Sequence, residues 1–318
     1  MNYILSDGSL WDSFLPFTFT RPVAEIRMGI LTIKEKWEKW LMTSVSTQTK
    51  THLSQKFPLK TASQNIVISA NYLPDNKLVQ KIKALKEDEA LFDGDVLVAF
   101  FTETPVEKHD LSKCKRIVLE HVPLKIENVW DIFSKNAEAL QSDFNMLTQG
   151  RQSQPLSTTN QVLNSENIFL EEGAQVEFSI LNASTGPIYI GKGAQIMEGC
   201  TIRGGLALGD NAVIKMGAKL YGPSTFGPYC KVGGEVSNSV LFAHSNKGHE
   251  GFLGNSVLGE WCNLGADTNT SNLKNNYAPV RLWDYKTEGF AQTGLQFCGL
   301  IMGDHSKCGI NTMFNTGT

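Results

Sequence analysis

Between residues 190 and 232 every sixth position is apolar: Ile190, Ile196, Ile202, Leu208, Ile214, Leu220, Phe226 and Val232. A second row, four positions further on in each case, runs through Ala194, Cys200, Leu206, Ala212, Ala218, Ser224, Cys230 and Val236 and is mostly small. Helices repeat every 3.6 residues and strands every 2, so neither gives this pattern. A coil of three short, flat strands does: each strand points one aliphatic side chain inward, and a small residue near each corner lets the chain turn. Gly191, Gly209, Gly227 and Gly233 follow directly on inward residues, where crowding or a positive φ would exclude a Cβ. The pattern predicts a parallel β-helix of hexapeptide repeats.

The hexads begin at Leu170 and Val176, resume at Leu258 and Leu264, and restart again at Ile301. Two interruptions, residues 237–257 and 270–300, read as loops thrown out of the coil, where function tends to sit. The first holds His244, Asn246, Lys247 and His249; the second holds Asn272, Lys274, Arg281 and Trp283. The chain stops at Thr318 in mid-repeat, without the cap that an open β-helix end needs, so the β-helix is expected to be incomplete at its C-terminus.

Before residue 150 the period changes. Tyr3-Ile-Leu5 is a short apolar run ended by Ser6-Asp7-Gly8, a strand delivering a polar turn. Residues 23–41 carry apolar positions at helical spacing, with Lys34, Glu35, Lys36, Glu38 and Lys39 forming a solvated face. Strands are expected at 65–69, 96–101 and 116–119, and helices at 77–89 and 129–147. This alternation predicts an α/β domain over residues 1–150, a polar linker over 151–165, and the β-helix over 166–318.

Composition narrows the function. The 318 residues carry a formal net charge of −3, with no basic excess to attract nucleic acid or a membrane surface. No apolar run approaches the roughly 20 residues needed to span a bilayer. Six scattered cysteines without a Cys-x-x-Cys pair read as reduced packing residues of a cytoplasmic protein. Chemistry on small molecules is the expectation that remains.

Several stretches then resemble one family. They are Glu235-Val-Ser-Asn-Ser-Val240, Ser245-Asn-Lys-Gly-His249, Phe252-Leu-Gly-Asn255, Leu258-Gly-Glu-Trp-Cys-Asn-Leu-Gly-Ala-Asp-Thr268 and Asn272-Leu-Lys274, with Lys307-Cys-Gly-Ile-Asn-Thr312 beyond them. In order and spacing they are similar to bifunctional sugar-1-phosphate nucleotidylyltransferase/acetyltransferases, including the archaeal-type enzymes. The run Leu15-Pro-Phe-Thr-Phe-Thr-Arg-Pro-Val-Ala-Glu-Ile-Arg27 resembles the opening of the GlmU-like, Bacteroidetes-type branch. The resemblance implies a nucleotidyltransferase-like, Rossmann-like α/β domain and a left-handed β-helix that forms homotrimers with active sites between subunits. It also implies sugar 1-phosphate, nucleoside triphosphate and acetyl-CoA as substrates, Mg²⁺ as cofactor, and a UDP-GlcNAc-type product.

By this resemblance His249 is the general base that takes a proton from the sugar amine as the amine attacks the acetyl-CoA thioester, a role suited to an imidazole. Asn263 matches a sugar-contacting asparagine and Asn272 an asparagine of the following loop. Asn246 stands where the family has a lysine, with Lys247 next to it, and Phe252 stands where it has a tyrosine; these five residues form the expected substrate site. At the N-terminus the family's glycine-rich G-x-G-T-R-M loop is replaced by Ser6-Asp7-Gly8-Ser9-Leu10-Trp11. Chemistry alone then nominates Asp7 and Gly8, with Arg21, Arg27 and Lys34, as the nucleotide site, Asp7 offering hard oxygens to Mg²⁺ and the cations facing phosphate. Two alternatives stand beside this reading. One is nucleotidyl transfer alone, from UTP or dTTP to a hexose 1-phosphate, as in glucose-1-phosphate thymidylyltransferases; the other is a non-catalytic assembly protein that binds a sugar nucleotide.

Overall fold

The structure, a computed structural model, describes residues 1–103, 106 and 110–318. It divides into two compact units: residues 1–14, 18–26 and 31–127, and residues 15–17, 27–30 and 128–318. Among the described residues no helix is long and apolar enough to cross a membrane.

The first unit is built on a six-stranded mixed sheet. Its strands are β1 (Asn2–Ser6), β2 (Ser46–Gln48), β3 (Asn65–Ser69), β4 (Glu89–Asp93), β5 (Val96–Thr102) and β6 (Lys115–Val118), in the spatial order β2-β1-β3-β5-β4-β6. β1 runs parallel to both β2 and β3, whereas β5 is antiparallel to β3 and β4. Ile4, Val67, Ala90 and Phe100 form an apolar cluster on this sheet. The helices are α1 (Ile33–Leu41) and α2 (Asn76–Lys83).

Two elements are shorter than their periodicity predicts. The helix expected over residues 23–41 is a 3₁₀ turn at Val23–Glu25 followed by α1 alone. Gly29 interrupts it with φ +65°, and α1 starts afresh at Thr32, whose hydroxyl accepts from Glu35 N while Glu35 Oε2 accepts from Thr32 N. This capping box is a start signal stronger than the apolar spacing ahead of it. Within the charged face expected to be solvated, Lys36 is only 2% exposed. The helix expected at 77–89 ends at Lys83; Asp88, at φ 57°, turns the chain into β4.

The second unit is the left-handed parallel β-helix of hexapeptide repeats. Its three faces are stacks of six, seven and seven short strands. Every member of both six-residue rows is buried, the larger side chains filling the interior and the small ones lying at the corners. All six cysteines are free. Burial pushes the thiols of Cys230 and Cys298 up to about 12 and that of Cys262 to about 11, so these sulfurs are inert packing groups.

The interruption expected at residues 237–257 is not a loop. The coil runs through it as Glu235–Ser237, Val240–Ala243, Asn246–Lys247 and Phe252–Gly254. Leu208 pairs with Phe226, eighteen residues on, but Phe226 pairs with Leu241 and Val232 with Lys247, each fifteen on. The corners are tightened by single residues in the left-handed region, Asn238 at φ 45° and His244 at φ 52°, so the turn continues while the sequence phase slips. The second interruption does leave the coil, as an antiparallel hairpin of Arg281–Asp284 with Gly289–Gln292, before Ile301–Met302 pairs back onto Val257 and Leu258.

A broken helical segment, α3 (Asp131–Ser134) and α4 (Asn136–Thr148), belongs to this unit. Asn136 is fully buried and joins α4 to the coil: its Oδ1 accepts from Gly29 N at 2.6 Å, and its Nδ2 donates to Pro223 O at 3.0 Å. Thr225 Oγ1 donates to Gly29 O, so residues 27–30 are held by both α4 and the β-helix.

Candidate functional site

In the first unit the carboxyl ends of three adjacent parallel strands open onto one cleft. β1 ends at Ser6, β2 at Gln48 and β3 at Ser69, and open α/β sheets bind ligands at this edge. The cleft has two lobes, of about 250 Å³ and 410 Å³, which share Ser6, Asp7, Gly8 and Gln48. Trp11, Thr49 and Lys50 complete the narrow lobe. The wide lobe is walled by Leu10, Val67, Val98, Phe100 and Val106, with Asn71 and Glu127 as polar groups.

Asp7 lies between the lobes and is 2% exposed. One carboxylate oxygen accepts from Val23 N at 2.9 Å and the other from Thr49 Oγ1 at 2.6 Å. Burial pushes its pKa up to about 6 in spite of these two donors and the nearby Lys50. The turn that delivers it requires Gly8, at φ +50°, where nothing stands within 4 Å of an added Cβ. The turn thus leaves open space beside Gly8.

Of the five residues nominated from chemistry for a nucleotide, Asp7 and Gly8 line this cleft. Arg21 and Lys34 belong to the same unit but are not among its lining residues; Arg21 is buried, and Lys34 pairs with Glu25 at 3.4 Å. Arg27 belongs to the second unit, where its Nη1 donates to Ile30 O at 2.6 Å. Among the described residues, the cation that lines the cleft is instead Lys50, on the turn after β2. Sequence reasoning missed it because a three-residue strand, Ser46–Gln48, is too short for a period-2 signal.

The expected metal was Mg²⁺, which takes one or two carboxylates and completes its shell with phosphate and water. Asp7 and Glu127 both line the wide lobe, among hydroxyl and amide oxygens. No cluster of three or more His, Cys, Asp or Glu side chains occurs among the described residues. The donor set fits an ion held jointly with substrate rather than a closed protein cage.

On the β-helix the residues nominated for acetyl transfer lie on neighbouring coils. Asn246 and Asn263 are paired in register on one face, Asn246 Nδ2 donating to Asn263 Oδ1 at 2.8 Å. His249 is exposed at the corner that follows. Phe252 begins the next strand, and its ring and the Asn272 amide both pack over Gly254; Asn272 Nδ2 donates to Asn255 Oδ1 at 2.9 Å. Two polar patches on adjoining faces therefore flank the His249 corner. Lys247 points the other way: it takes an inward position, is 2% exposed, and donates from Nζ to the carbonyls of Gly233 and His249. At the preceding corner of the same coil, His244 is sandwiched between Tyr229 and Trp261, with centroids 5.0 and 4.4 Å away and rings nearly parallel.

Residues 3–152 match the family of sugar nucleotidyl transferases, just under half of the chain. The match takes in the whole cleft and also α3 and α4. Among individual relatives, the chain is 32% identical to the bifunctional protein GlmU of Methanocaldococcus jannaschii over 83 residues, 26% of this chain and 20% of that protein. A match of the same extent to GlmU of Methanococcus maripaludis is 31% identical. The GlmU of Synechococcus elongatus is 28% identical over 138 residues, 42% of this chain and 26% of that one. The chain thus spans about a quarter or less of the curated relatives it matches. It is GlmU-like, and the family whose model it matches is one of transferases.

Proposed function

We propose that this GlmU-like chain is a nucleotide-sugar enzyme whose first unit transfers a nucleotidyl group from a nucleoside triphosphate to a sugar 1-phosphate. The observation that carries the reading is the cleft at the carboxyl ends of β1, β2 and β3, with the buried Asp7 between its two lobes. A phosphate oxygen of the sugar attacks the α-phosphorus, the bond from that phosphorus to the bridging oxygen breaks, and pyrophosphate leaves. Asp7 and Glu127, together with the phosphates, would hold Mg²⁺, which would supply positive charge to the leaving group. The protein positions the reactants: Thr49 and Val23 N hold Asp7, and Lys50 faces phosphate from the turn after β2. UTP or dTTP with a hexose or hexosamine 1-phosphate is the substrate class.

The test is pyrophosphate release from UTP or dTTP with glucose or glucosamine 1-phosphate. Release is expected to depend on Mg²⁺ and to fall about 10- to 100-fold in Asp7→Asn, which keeps the side-chain shape but lacks the charge. No release from any triphosphate and sugar 1-phosphate would sink the reading.

The β-helix adds acetyl transfer from acetyl-CoA to the amine of glucosamine 1-phosphate, giving a UDP-GlcNAc-type product with the first activity. His249 takes the amine proton as the C–N bond forms and the thioester C–S bond breaks, and CoA leaves as its thiol. Asn246, Asn263, Asn272 and Phe252 hold the sugar phosphate, and Lys247 holds the corner from inside. The site is open on this chain, which supports a homotrimer in which a neighbouring subunit completes it. The inert thiols support a cytoplasmic setting. His249→Ala is expected to lower CoA release by at least about 100-fold without affecting pyrophosphate release; equal acetylation rates in the two proteins would remove His249 from the mechanism.

A further inference from the structure

Among the described residues two carboxylates line the wide lobe, and they are held differently. Asp7 is buried between its two donors, whereas Glu127 is exposed and is held from behind the wall. The segment that carries Glu127 pairs antiparallel with the residues just after β3. Leu73 N donates to Leu124 O at 2.8 Å, Ile126 N to Asn71 O at 3.0 Å, and Asn71 Nδ2 to Ile126 O at 2.9 Å. Side chains alternate along such an extended segment, so Lys125 and Glu127 share one side and the fully buried Ile126 takes the other. Lys125 Nζ donates to Asp93 Oδ2, at the end of β4, at 3.0 Å and lies 3.4 Å from Glu127 Oε1. The same Asp93 oxygen accepts from the hydroxyl of the fully buried Tyr72 at 3.1 Å, and the Lys125 ammonium lies 5.6 Å from the Tyr72 ring centroid. Tyr72 is fixed in turn at its carbonyl, which accepts from Trp37 Nε1 at 2.9 Å.

An exposed ion pair contributes little when both partners must be ordered to make it. Here the ammonium is already placed by Asp93 and the Tyr72 ring, so only Glu127 gives up freedom. One ammonium also serves two carboxylates, which leaves one negative charge over. The Asp93 side chain is 14% exposed and that of Glu127 50%, so the surplus charge meets the lobe at Glu127. Resting on the nucleotidyl-transfer reading above, we propose that Lys125 is a positioning residue of the cleft: anchored on Asp93 and Tyr72, it sets the place from which Glu127 meets the Mg²⁺-bound triphosphate. Lys125 acts through Glu127, since it is not itself among the residues lining either lobe.

The test is a double-mutant cycle read by calorimetric titration of the protein with UTP and with dTTP, Mg²⁺ present and sugar phosphate left out, so that turnover plays no part. Triphosphate affinity is expected to fall about 10-fold in Glu127→Gln and about 3- to 10-fold in Lys125→Met, and the double variant is expected to bind no more weakly than Glu127→Gln alone. Tyr72→Phe keeps the buried ring and removes only the hydroxyl that steadies Asp93; a fall of about 2- to 3-fold is expected, and none in the Lys125→Met background. Damage to the fold weakens binding in either background, whereas positioning weakens it only where Glu127 is present. Losses that add in the double variant therefore overturn the proposal, even if the wild-type protein releases pyrophosphate. Unchanged affinity in Lys125→Met overturns it as well, as does a wild-type protein that binds neither triphosphate. Conversely, losses that fail to add uphold it even if no pyrophosphate release is found and the catalytic reading fails.

Discussion

Gly227→Ala is expected to abolish the cooperative fold of the β-helix at ambient temperature, at a cost above about 4 kcal/mol. Gly227 directly follows the inward Phe226 and donates its N–H to Leu241 O in the next coil at 2.9 Å. A Cβ built there would overlap the Phe242 carbonyl oxygen, lie 2.7 Å from the carbonyl carbon, and press on the Arg27 side chain at 2.9 Å. The obstacle is backbone on the adjacent turn of a rigid stack, so relief requires separating two coils and losing their ladder hydrogen bonds. The φ at this position is not in the left-handed region, so the effect is crowding alone. Gly309→Ala is the control: it has no positive φ and nothing within 4 Å of an added Cβ, and should be neutral or stabilising by about 0.5 kcal/mol through the unfolded chain. Thermal unfolding of the two variants, followed by circular dichroism, separates the outcomes. Similar midpoints would show that the coils can part at low cost.

These glycines also show how far the β-helix was legible in the sequence. Crowding and positive φ are both compatible with Gly191, Gly209, Gly227 and Gly233 in a sequence; in the structure none of the four is left-handed and each faces backbone of the adjacent coil. The six-residue rows were readable because every inward position meets the same environment. They failed at residues 237–257 because a coil shortened to fifteen residues keeps its geometry while losing its sequence phase, and Lys247 at an inward position looks like a loop residue. The cleft of the first unit was half legible. Asp7-Gly8 announces a turn after a strand, but Lys50, Gln48 and Trp11 meet there only through the parallel pairing of β1 with β2, a contact between residues more than 40 apart. For Arg27, whose charge alone suggested phosphate, nothing in the sequence signals that its guanidinium donates to Ile30 O and closes a short loop.

Lys247→Met is expected to stabilise the protein at pH 7 while impairing acetyl transfer. The inward positions of this face in other coils are Val176, Ile196, Ile214, Val232 and Leu264, all buried, and the half-buried Cys308, and Lys247 places an ammonium in the same column. No carboxylate of the described residues forms an ion pair with it; its Nζ has only the carbonyls of Gly233 and His249. Burial pushes its pKa down from 10.5 to about 8, against the weaker pull of Glu250 and Asp267. Below pH 8 both folded and unfolded chains carry the proton, and the full cost of burying the charge is present. Between pH 8 and 10.5 the unfolded chain binds more protons than the folded one, so stability rises with pH, and above 10.5 the cost is gone. That interval corresponds to at most about 3 kcal/mol, and the two carbonyl bonds lost in the variant reduce the expected gain at pH 7 to about 2 kcal/mol. Urea unfolding of both proteins at pH 7, 8, 9 and 10 should show the advantage of Lys247→Met shrinking steadily as pH rises. A difference that does not change with pH would mean that the ammonium is not desolvated. The same substitution frees the His249 carbonyl, so a slower acetyl transfer in a more stable protein would mark Lys247 as a residue kept to hold the corner rather than to strengthen the coil.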